Sequence, residues 1–270
     1  MARYFFEDQG HAALYQKYRL PSPNEIHTLI LNYLQTKKEK PFTLAVDVGC
    51  GSGQSTRGLA SHFEKVVGID VSEAQIEEAK RMDGPDNVCY RQGVAEELEF
   101  KDGSVDVVTV GAAAHWFDME KFMKEVDRVL KPKGCLALYC YTVPCILNYD
   151  DCPEPPTQIV QELFQTLVPY ETNANKIVWN EYRDIFDAIT FPDKERAEDI
   201  YIRLKKPLLW LVGFLNSSVL YQAYRKEDPE NAEVSLENTK QRLLKAMGVS
   251  SDTIVEFCIK YYCLLASKPE

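Results

Sequence analysis

The sequence predicts an α/β fold with a doubly wound, mostly parallel seven-stranded sheet and an inserted helical lid. Apolar runs such as FTLAVDVG and VDVVTVGAA show no polar alternation, which indicates strands that are buried on both faces. Amphipathic segments with capping residues separate these runs, so strands and helices alternate along the chain. After Tyr141 this alternation gives way to a proline-rich junction, CPEPPTQ, and to helical segments with interspersed aromatic residues.

The first elements are marked by their capping residues. Ser22 is the expected N-cap of a helix, and Glu25 completes its capping box. The strand FTLAVDVG follows, then a helix over 53–63 and the strand KVVGID. Ser72 and Gln75 form a second capping box, which begins the helix EAQIEEAKRM.

Three further strands and one helix complete the regular part of the chain. NVCYRQG, VDVVTVGAA and CLALYCYT are predicted strands, and the helix MEKFMKEVDRVL lies between the last two. In the remaining part we expect a strand at AEDIYIRLKKP and a helix at SLENTKQRLLKAMG that ends at Gly248. The final strand is TIVEFCIKYYCLLASKP, which brings the predicted count to seven.

Composition excludes several classes of function. The net charge of −10 argues against nonspecific nucleic-acid binding, because phosphate contacts need a basic face. The eight cysteines form no C-x-x-C pair, which argues against a metal site and favours buried thiols in a reducing compartment. The N-terminal MARYFFEDQG lacks a signal peptide's apolar stretch, and no long apolar window follows, so we expect a cytoplasmic protein without a membrane span.

The segment LAVDVGCGSG carries the main functional signal. A strand that ends in alternating glycines and leads into a helix brings the backbone close to a ligand, although several nucleotide ligands suit such a turn. Asp47, before the glycines, suits a ligand with a positive ammonium group and would oppose a pyrophosphate. Asp70 ends the next strand, where an acid can accept both hydroxyls of a ribose. GVAEELEF follows the third strand, where an adenine would lie against the sheet. An ammonium, a ribose and an adenine without phosphate together indicate S-adenosylmethionine as the cofactor.

Longer motifs agree with this interpretation. VDVGCGSG, VVGIDVSEAQIEEAK, RQGVAEELEFKDGSVDVVTVGAAAHWFD and VDRVLKPKGCLAL resemble, in order and spacing, the motifs of class I S-adenosylmethionine-dependent methyltransferases. YQKYRLPSP, HWFD and LVGFLNSSVLYQAY resemble more narrowly the branch of trans-aconitate methyltransferases, which esterify small carboxylates. Two positions depart from that pattern. The second tyrosine of the N-terminal element is missing after Arg19, and Val94 stands where many relatives carry an acid that contacts adenine.

The resemblance and the residue pattern together predict the cofactor site. Tyr15, Tyr18 and Arg19 are expected to close over the cofactor and to bind the carboxylate of the acceptor, or else to lie on the surface of a helix. Glu96 either contacts the adenosine or begins a helix. The predicted cofactor-binding residues are Tyr18, Arg19, Asp47, Gly49, Cys50, Gly51, Gly53, Asp70, Val71, Ala95, Glu96 and Gly111.

Two residues after the fourth strand are the catalytic candidates. His115 and Trp116 follow the carboxyl end of that strand, where open α/β sheets bind ligands. His115 is either a general base or a histidine that lines the pocket, and Trp116 is either an apolar wall or part of the core. Further candidates for the acceptor side are Trp210, Ser217, Ser218 and Tyr221.

These residues favour methyl transfer to a small, acidic acceptor, by O-methylation of a carboxylate. The alternatives are C- or N-methylation of a quinone, sterol-like or amine acceptor with His115 as base, and a non-catalytic, cofactor-binding regulatory protein. A nucleotide-linked oxidoreductase is disfavoured by Asp47 and by the glycine spacing. We expect N-terminal helices and the cofactor half of the core in 1–144, a lid in 145–196, and the rest of the sheet and substrate pocket in 197–270. A monomer or weak dimer is expected.

Overall fold

The structure, a computed structural model, describes residues 14, 17–20, 22–149 and 151–270. Tyr15, a candidate for closing over the cofactor, lies outside these residues. The described strands are β1 (Leu44–Val48), β2 (Lys65–Asp70), β3 (Val88–Gln92), β4 (Val105–Gly111), β5 (Leu130–Tyr141), β6 (Cys145–Ile146), β7 (Asp193–Pro207) and β8 (Ile254–Ser267). They form one sheet in the order β3-β2-β1-β4-β5-β8-β6, and β7 also pairs with β8.

The predicted α/β class is confirmed. Strands β1 to β5 run parallel to one another, and β8 pairs antiparallel with β5, β6 and β7. The described residues form eight strands and not seven, because the two-residue β6 pairs with β8 directly after the fifth strand. So short a strand has too few residues to show a pattern in the sequence.

The described helices flank this sheet. They are α1 (Asn24–Lys37), α2 (Glu73–Arg81), α3 (Met119–Val129), α4 (Pro156–Leu167), α5 (Asn173–Trp179), α6 (Arg183–Ala188), α7 (Leu208–Asn216), α8 (Val219–Glu227) and α9 (Pro229–Met247). The helix that the sequence predicts over 53–63 is a 3₁₀ helix at Thr56–His62. None of the helices in these ranges has both the length and the apolarity to cross a membrane.

Apolar residues cover both faces of the sheet. Neighbouring residues of β1 point to opposite sides: Ala45 packs in the cluster that contains Ile30 of α1, and Val46 packs in the cluster that contains Phe122 of α3. Burial on both faces explains why the strand lacks polar alternation.

The three predicted helix boundaries differ in outcome. Ser72 caps α2, since its Oγ accepts from the backbone N–H of Gln75 at 3.3 Å, and Gly248 ends α9 with φ +66°. The predicted cap at Ser22 is wrong. Helix α1 begins at Asn24 without a side-chain cap, because the Ser22 hydroxyl hydrogen-bonds with the hydroxyls of Ser55, at 2.6 Å, and Tyr139.

A buried acid hydrogen-bonds with several segments of the chain at the end of the sheet opposite the glycine turn. Asp106, near the start of β4, is fully buried and accepts from Lys38 Nζ at 2.6 Å and from Lys131 Nζ at 2.8 Å. The backbone N–H groups of Thr43 and Leu44 donate to the same carboxylate. Burial alone would raise the pKa of Asp106, but these hydrogen bonds together hold it below its ordinary value.

Helices α4, α5 and α6 lie between β6 and β7, in the segment where the sequence predicts a lid. Helix α4 packs against α9, so the segment contacts the C-terminal part of the chain. The division into 1–144, 145–196 and 197–270 stays a prediction.

Candidate active site

The turn after β1 is shaped by glycines in the left-handed region. Gly49, Gly51 and Gly53 have φ of +71°, +53° and +76°. A Cβ on Gly49 would lie 2.5 Å from the Cβ of Ala113, and a Cβ on Gly53 would lie 2.3 Å from the Tyr90 hydroxyl. The turn therefore passes so close to its neighbours that a side chain at either position would clash.

Gly49 and Gly51 line a cavity at the carboxyl ends of β1 and β2, which we call the Asp70 cavity. Its other described lining residues are Val48, Asp70, Val71, Gln75, Gly93, Ala95, Gly111, Ala112, Ala113, Trp116 and Phe117. Six of the predicted cofactor-binding residues therefore meet in one place. The walls are mostly apolar, and Asp70 supplies the negative charge.

The Asp70 carboxylate is held by backbone amides. Gly51 N–H donates to Oδ2 at 2.8 Å, and Ser72 N–H donates to Oδ1 at 2.9 Å. Burial raises the pKa of Asp70, and the amides of Ser72 and Gly51 oppose that rise. Each carboxylate oxygen has two lone-pair sites, so both can accept a further hydrogen bond from a ligand hydroxyl.

Asp47 lies beneath the turn, with an exposed fraction of only 1%. Its two oxygens accept from the hydroxyls of Thr56, at 2.6 Å, and Thr109, at 2.8 Å. Burial raises the pKa of Asp47 to about 6, although both hydroxyl hydrogen bonds lower it. The carboxylate is thus a buried charge that a nearby cation would stabilise.

A second cavity, the Ser22 cavity, lies on the other side of the turn. It shares Gly49, Gly51, Gly111 and Ala112 with the Asp70 cavity. Hydroxyl and amide side chains make this part polar, and the sequence did not single out most of them. The described polar lining residues are Arg19, Ser22, Ser52, Gln54, Ser55, Tyr139, Tyr141 and Tyr261, and Cys50 is also present.

A third cavity, the His115 cavity, contains both predicted catalytic residues. His115 and Trp116 line it together with Arg19 and the aromatic rings of Tyr141, Phe164, Trp179 and Phe214. Trp116 also lines the Asp70 cavity, and Arg19 and Tyr141 also line the Ser22 cavity. Ala112, with φ +52°, lines all three cavities and so marks the point where they meet.

His115 is held as a neutral imidazole. Its Nδ1 lies 2.6 Å from the hydroxyl oxygen of Tyr182, which is fully buried just before α6. Burial, and next the positive charge of Arg19, lower the pKa of His115 to about 3. An imidazole with so low a pKa is a weak general base.

Three other predicted cofactor residues make contacts within the protein, and their role toward the cofactor stays a prediction. The ring of Tyr18 packs on Gly213, where an added Cβ would lie 2.2 Å from Tyr18 Cε1. Glu96 Oε1 accepts from the backbone N–H of Asp118, the N-cap of α3, at 2.9 Å. Gly53 packs on Tyr90.

Of the four C-terminal candidates for the acceptor side, Ser218 lines the His115 cavity. Trp210 packs between Phe214 and Phe257. Ser217 donates from its hydroxyl to the Phe214 carbonyl at 2.7 Å, and Tyr221 donates to the Ala232 carbonyl at 2.9 Å.

Comparison with known proteins identifies the kind of site. Residues 46–138 match the family described as "Methyltransferase domain". A Dictyostelium discoideum protein named as a methyltransferase is 32% identical over 94% of this chain and 92% of its own length. The chain is therefore a methyltransferase. More fully, it belongs to the class I S-adenosylmethionine-dependent methyltransferases, and the prediction of an enzyme is confirmed.

Solved structures agree with this assignment. A type II methyltransferase from Anaeromyxobacter dehalogenans has a TM-score of 0.74 and 26% identity, with 94% of this chain and 100% of that chain covered. The Haemonchus contortus phosphoethanolamine N-methyltransferase 2, solved with S-adenosyl-L-methionine, has a TM-score of 0.55 and 20% identity. That match covers 100% of this chain and 60% of that chain, and it shows the shared fold.

The residues of this methyltransferase fit the cofactor. The apolar walls of the Asp70 cavity, such as Val71 and Phe117, suit an adenine, and the Asp70 carboxylate suits a ribose. The polar Ser22 cavity suits the amino-acid end, while Asp47 is not among the described lining residues of either cavity and its predicted contact with the ammonium group stays a prediction. S-adenosylmethionine supplies a methyl group on a positively charged sulfur.

Proposed function

We propose that this methyltransferase transfers the methyl group to a carboxylate oxygen of a small acceptor bound in the His115 cavity. The observation that carries the proposal is the position of Arg19. Among the described residues that line the Asp70, Ser22 and His115 cavities, Arg19 is the only lysine or arginine. A fixed positive charge beside the junction of the three cavities favours an acceptor with a single acidic group.

The contacts of Arg19 support a role toward the acceptor. Its guanidinium carbon lies 4.5 Å from the ring centroid of Phe214, and Nη1 donates to the Tyr141 hydroxyl at 3.5 Å. Both rings line the His115 cavity, and the charge of Arg19 lowers the pKa of His115 in the same cavity. The narrower resemblance to methyltransferases that esterify small carboxylates points in the same direction.

The neutral state of His115 also suits a carboxylate acceptor. A carboxylate is ionised near neutral pH and needs no general base. The acceptor oxygen forms a bond to the methyl carbon as the methyl–sulfur bond breaks and its electron pair goes to sulfur, so no proton moves. Arg19 holds the acceptor, and the aromatic walls exclude water from the transfer.

The product distinguishes the candidate reactions. The purified protein is incubated with methyl-labelled S-adenosylmethionine and a pool of small carboxylic acids, and the products are identified by mass spectrometry. We expect methyl esters, which release labelled methanol in mild alkali. Label found only on carbon or nitrogen, stable to alkali, would contradict O-methylation.

Two variants test the role of Arg19. Arg19→Gln should raise the KM for the acid about tenfold or more, since the removed hydrogen bonds are to a charged group, while Arg19→Lys should restore part of the loss. Lys17→Gln is the matched control, because it removes an exposed cation two residues away. Equal effects of Arg19→Gln and Lys17→Gln would argue against the proposal.

A second candidate is C- or N-methylation of a neutral acceptor. The observation in its favour is the aromatic lining by Trp116, Phe164, Trp179 and Phe214, which suits a flat, apolar molecule. For this reaction Arg19 would bind the amino-acid carboxylate of the cofactor, and Arg19→Gln would weaken cofactor binding more than acceptor binding.

A further inference from the structure

The His115 cavity adjoins a fourth cavity, which we call the Val160 cavity, with a volume of about 430 Å³. The two cavities share Thr142, Val143, Phe164 and Trp179. The far part of the Val160 cavity is formed by β6, α4 and the turn after α4. The residues that line this far part include Ile146, Pro156, Thr157, Val160, Gln161 and Val168.

Two aromatic rings lie where the two cavities adjoin. Phe164 of α4 and Trp179 of α5 meet edge to face, with their centroids 5.7 Å apart and their planes at 89°. Both rings line both cavities and touch each other, so a ligand that extends from one cavity into the other lies beside this pair and not between the two rings. A narrow, unbranched chain fits beside two such rings more easily than a bulky group does.

The charge of the Val160 cavity limits what can enter it. Its described lining holds no lysine or arginine, and Glu171 is its one charged residue. Glu171 Oε1 accepts from the indole N–H of Trp179 at 3.1 Å. This hydrogen bond positions the Glu171 carboxylate beside Trp179 in the cavity lining. A second carboxylate on the acceptor would meet a like charge without a cation, whereas an apolar chain would be transferred favourably from water.

We infer that the acceptor is a monocarboxylate with an extended, sparsely branched apolar chain. The carboxylate lies at Arg19 in the His115 cavity, and the chain runs beside the Phe164–Trp179 pair into the Val160 cavity. This inference rests on the proposed carboxylate methylation and adds the substrate class. It disfavours polycarboxylates, because Arg19 is the only arginine or lysine in the described lining of the two adjoining cavities.

A series of acids tests the inference. Butanoate, octanoate and dodecanoate are compared as acceptors, with dodecanedioate as the diacid. We expect KM to fall about fourfold per added methylene until the chain fills the cavity, with little change in kcat, because the added contacts are remote from the transferred methyl. Dodecanedioate should be a poorer acceptor than dodecanoate.

A cavity-filling variant localises the effect. Gln161 lines the Val160 cavity from a solvent-exposed position of α4, so Gln161→Trp places an indole there without changing the core. Gln158→Trp is the matched control. Gln158 is also exposed on α4 and bonds to Glu162 at 3.2 Å, away from the described lining.

Gln161→Trp should raise the KM for dodecanoate about tenfold and leave that for butanoate within about twofold, while Gln158→Trp changes neither. Thermal unfolding of both variants verifies that they fold. Equal KM values for butanoate and dodecanoate, or equal effects of Gln161→Trp on both acids, would overturn the inference and leave carboxylate methylation in place.

A different result would contradict the proposed carboxylate methylation itself, namely that no acid of any length is methylated. Binding of dodecanol is then measured by calorimetry, because each variant adds a tryptophan whose fluorescence would overlap that of Trp179. Weaker binding to Gln161→Trp than to Gln158→Trp would support the Val160 cavity as a site for an apolar chain. Equal binding to both variants would overturn this inference as well.

Discussion

The hydroxyl oxygen of Tyr182 lies 2.6 Å from Nδ1 of His115 and joins the residue before α6 to the loop after β4. Tyr182 is fully buried and has φ +61°, an uncommon conformation for a bulky residue. Burial raises the pKa of Tyr182 well above its ordinary value, so its hydroxyl stays protonated. Both partners are therefore uncharged at neutral pH, and the contact positions the ring without adding a charge.

The first prediction concerns the pH dependence of turnover. Because the pKa of His115 is lowered to about 3, its protonation should not limit kcat between about pH 5 and pH 8. At saturating cofactor and acceptor, kcat of the wild type and of His115→Gln should show the same flat profile in that range. An acidic limb near pH 6 to 7 that disappears in His115→Gln would identify His115 as a general base and contradict carboxylate methylation.

The second prediction compares two glycines with positive φ. Gly49→Ala adds a Cβ 2.5 Å from Ala113 beside the cofactor, whereas Gly103→Ala adds one, at φ +59°, with nothing within 4 Å. Gly103→Ala should cost about 1 kcal/mol of unfolding free energy and leave cofactor affinity unchanged. Gly49→Ala should cost more and weaken binding of S-adenosylmethionine at least about tenfold, measured by calorimetry. Equal cofactor affinities would argue against close contact at Gly49.

Two local rules account for the positions that the predicted cofactor residues take in the fold. A run buried on both faces indicates a parallel strand, and carboxyl ends of neighbouring parallel strands meet at one edge. Asp47, the glycines and Asp70 therefore come together, as β1 and β2 are neighbours in the sheet. The predicted N-cap at Ser72 is confirmed for a similar reason, because a helix cap also depends on residues that are close in sequence.

Most residues that line the His115 cavity cannot be recognised from the sequence. Tyr141, Phe164, Trp179 and Phe214 come from four separate elements, and each has the appearance of an ordinary core aromatic. Only the tertiary fold brings them around one cavity. The Ser22 prediction is wrong for a related reason: its sequence context matches a helix cap, but its hydroxyl hydrogen-bonds with Ser55 and Tyr139, which are distant in sequence.

The third prediction concerns Asp106, a buried acid within the apolar run VDVVTVGAA. Asp106→Asn should lower the unfolding free energy by about 3 kcal/mol, because Lys38 and Lys131 lose their shared buried carboxylate. Glu120→Gln is the control, since its ion pair with Lys124 is exposed to solvent and should contribute little to stability. Chemical denaturation measures both, and similar small losses would contradict the structural role of Asp106.

The pH dependence of this stabilisation has a definite sign. The pKa of Asp106 is lower in the folded protein than the ordinary value of about 3.9, so its contribution is present above that value. The contribution is lost as the pH falls below about 4 toward the folded pKa. Asp106→Asn should therefore flatten the acid limb of the stability profile.

The fourth prediction concerns cofactor binding at Asp47. The pKa of Asp47 is raised to about 6 without the cofactor, and a nearby ammonium group should lower it, because the cation favours the ionised carboxylate. Affinity for S-adenosylmethionine should therefore fall as the pH falls below about 6, approaching tenfold per pH unit. Asp47→Asn should bind more weakly at neutral pH and show no such fall, because the amide does not titrate.

Asp47 should make the cofactor-free protein more stable as the pH falls below about 6, whereas cofactor affinity falls over the same range. Its folded pKa of about 6 lies above the unfolded value of about 3.9, so the folded state takes up a proton first. Asp47 then destabilises the fold above about pH 6, and its protonation relieves this cost as the pH falls toward about 4. Asp47→Asn should remove that relief and be the more stable protein at neutral pH. If affinity and stability of the wild type and Asp47→Asn respond identically to pH, Asp47 is not the counter-charge for the ammonium group.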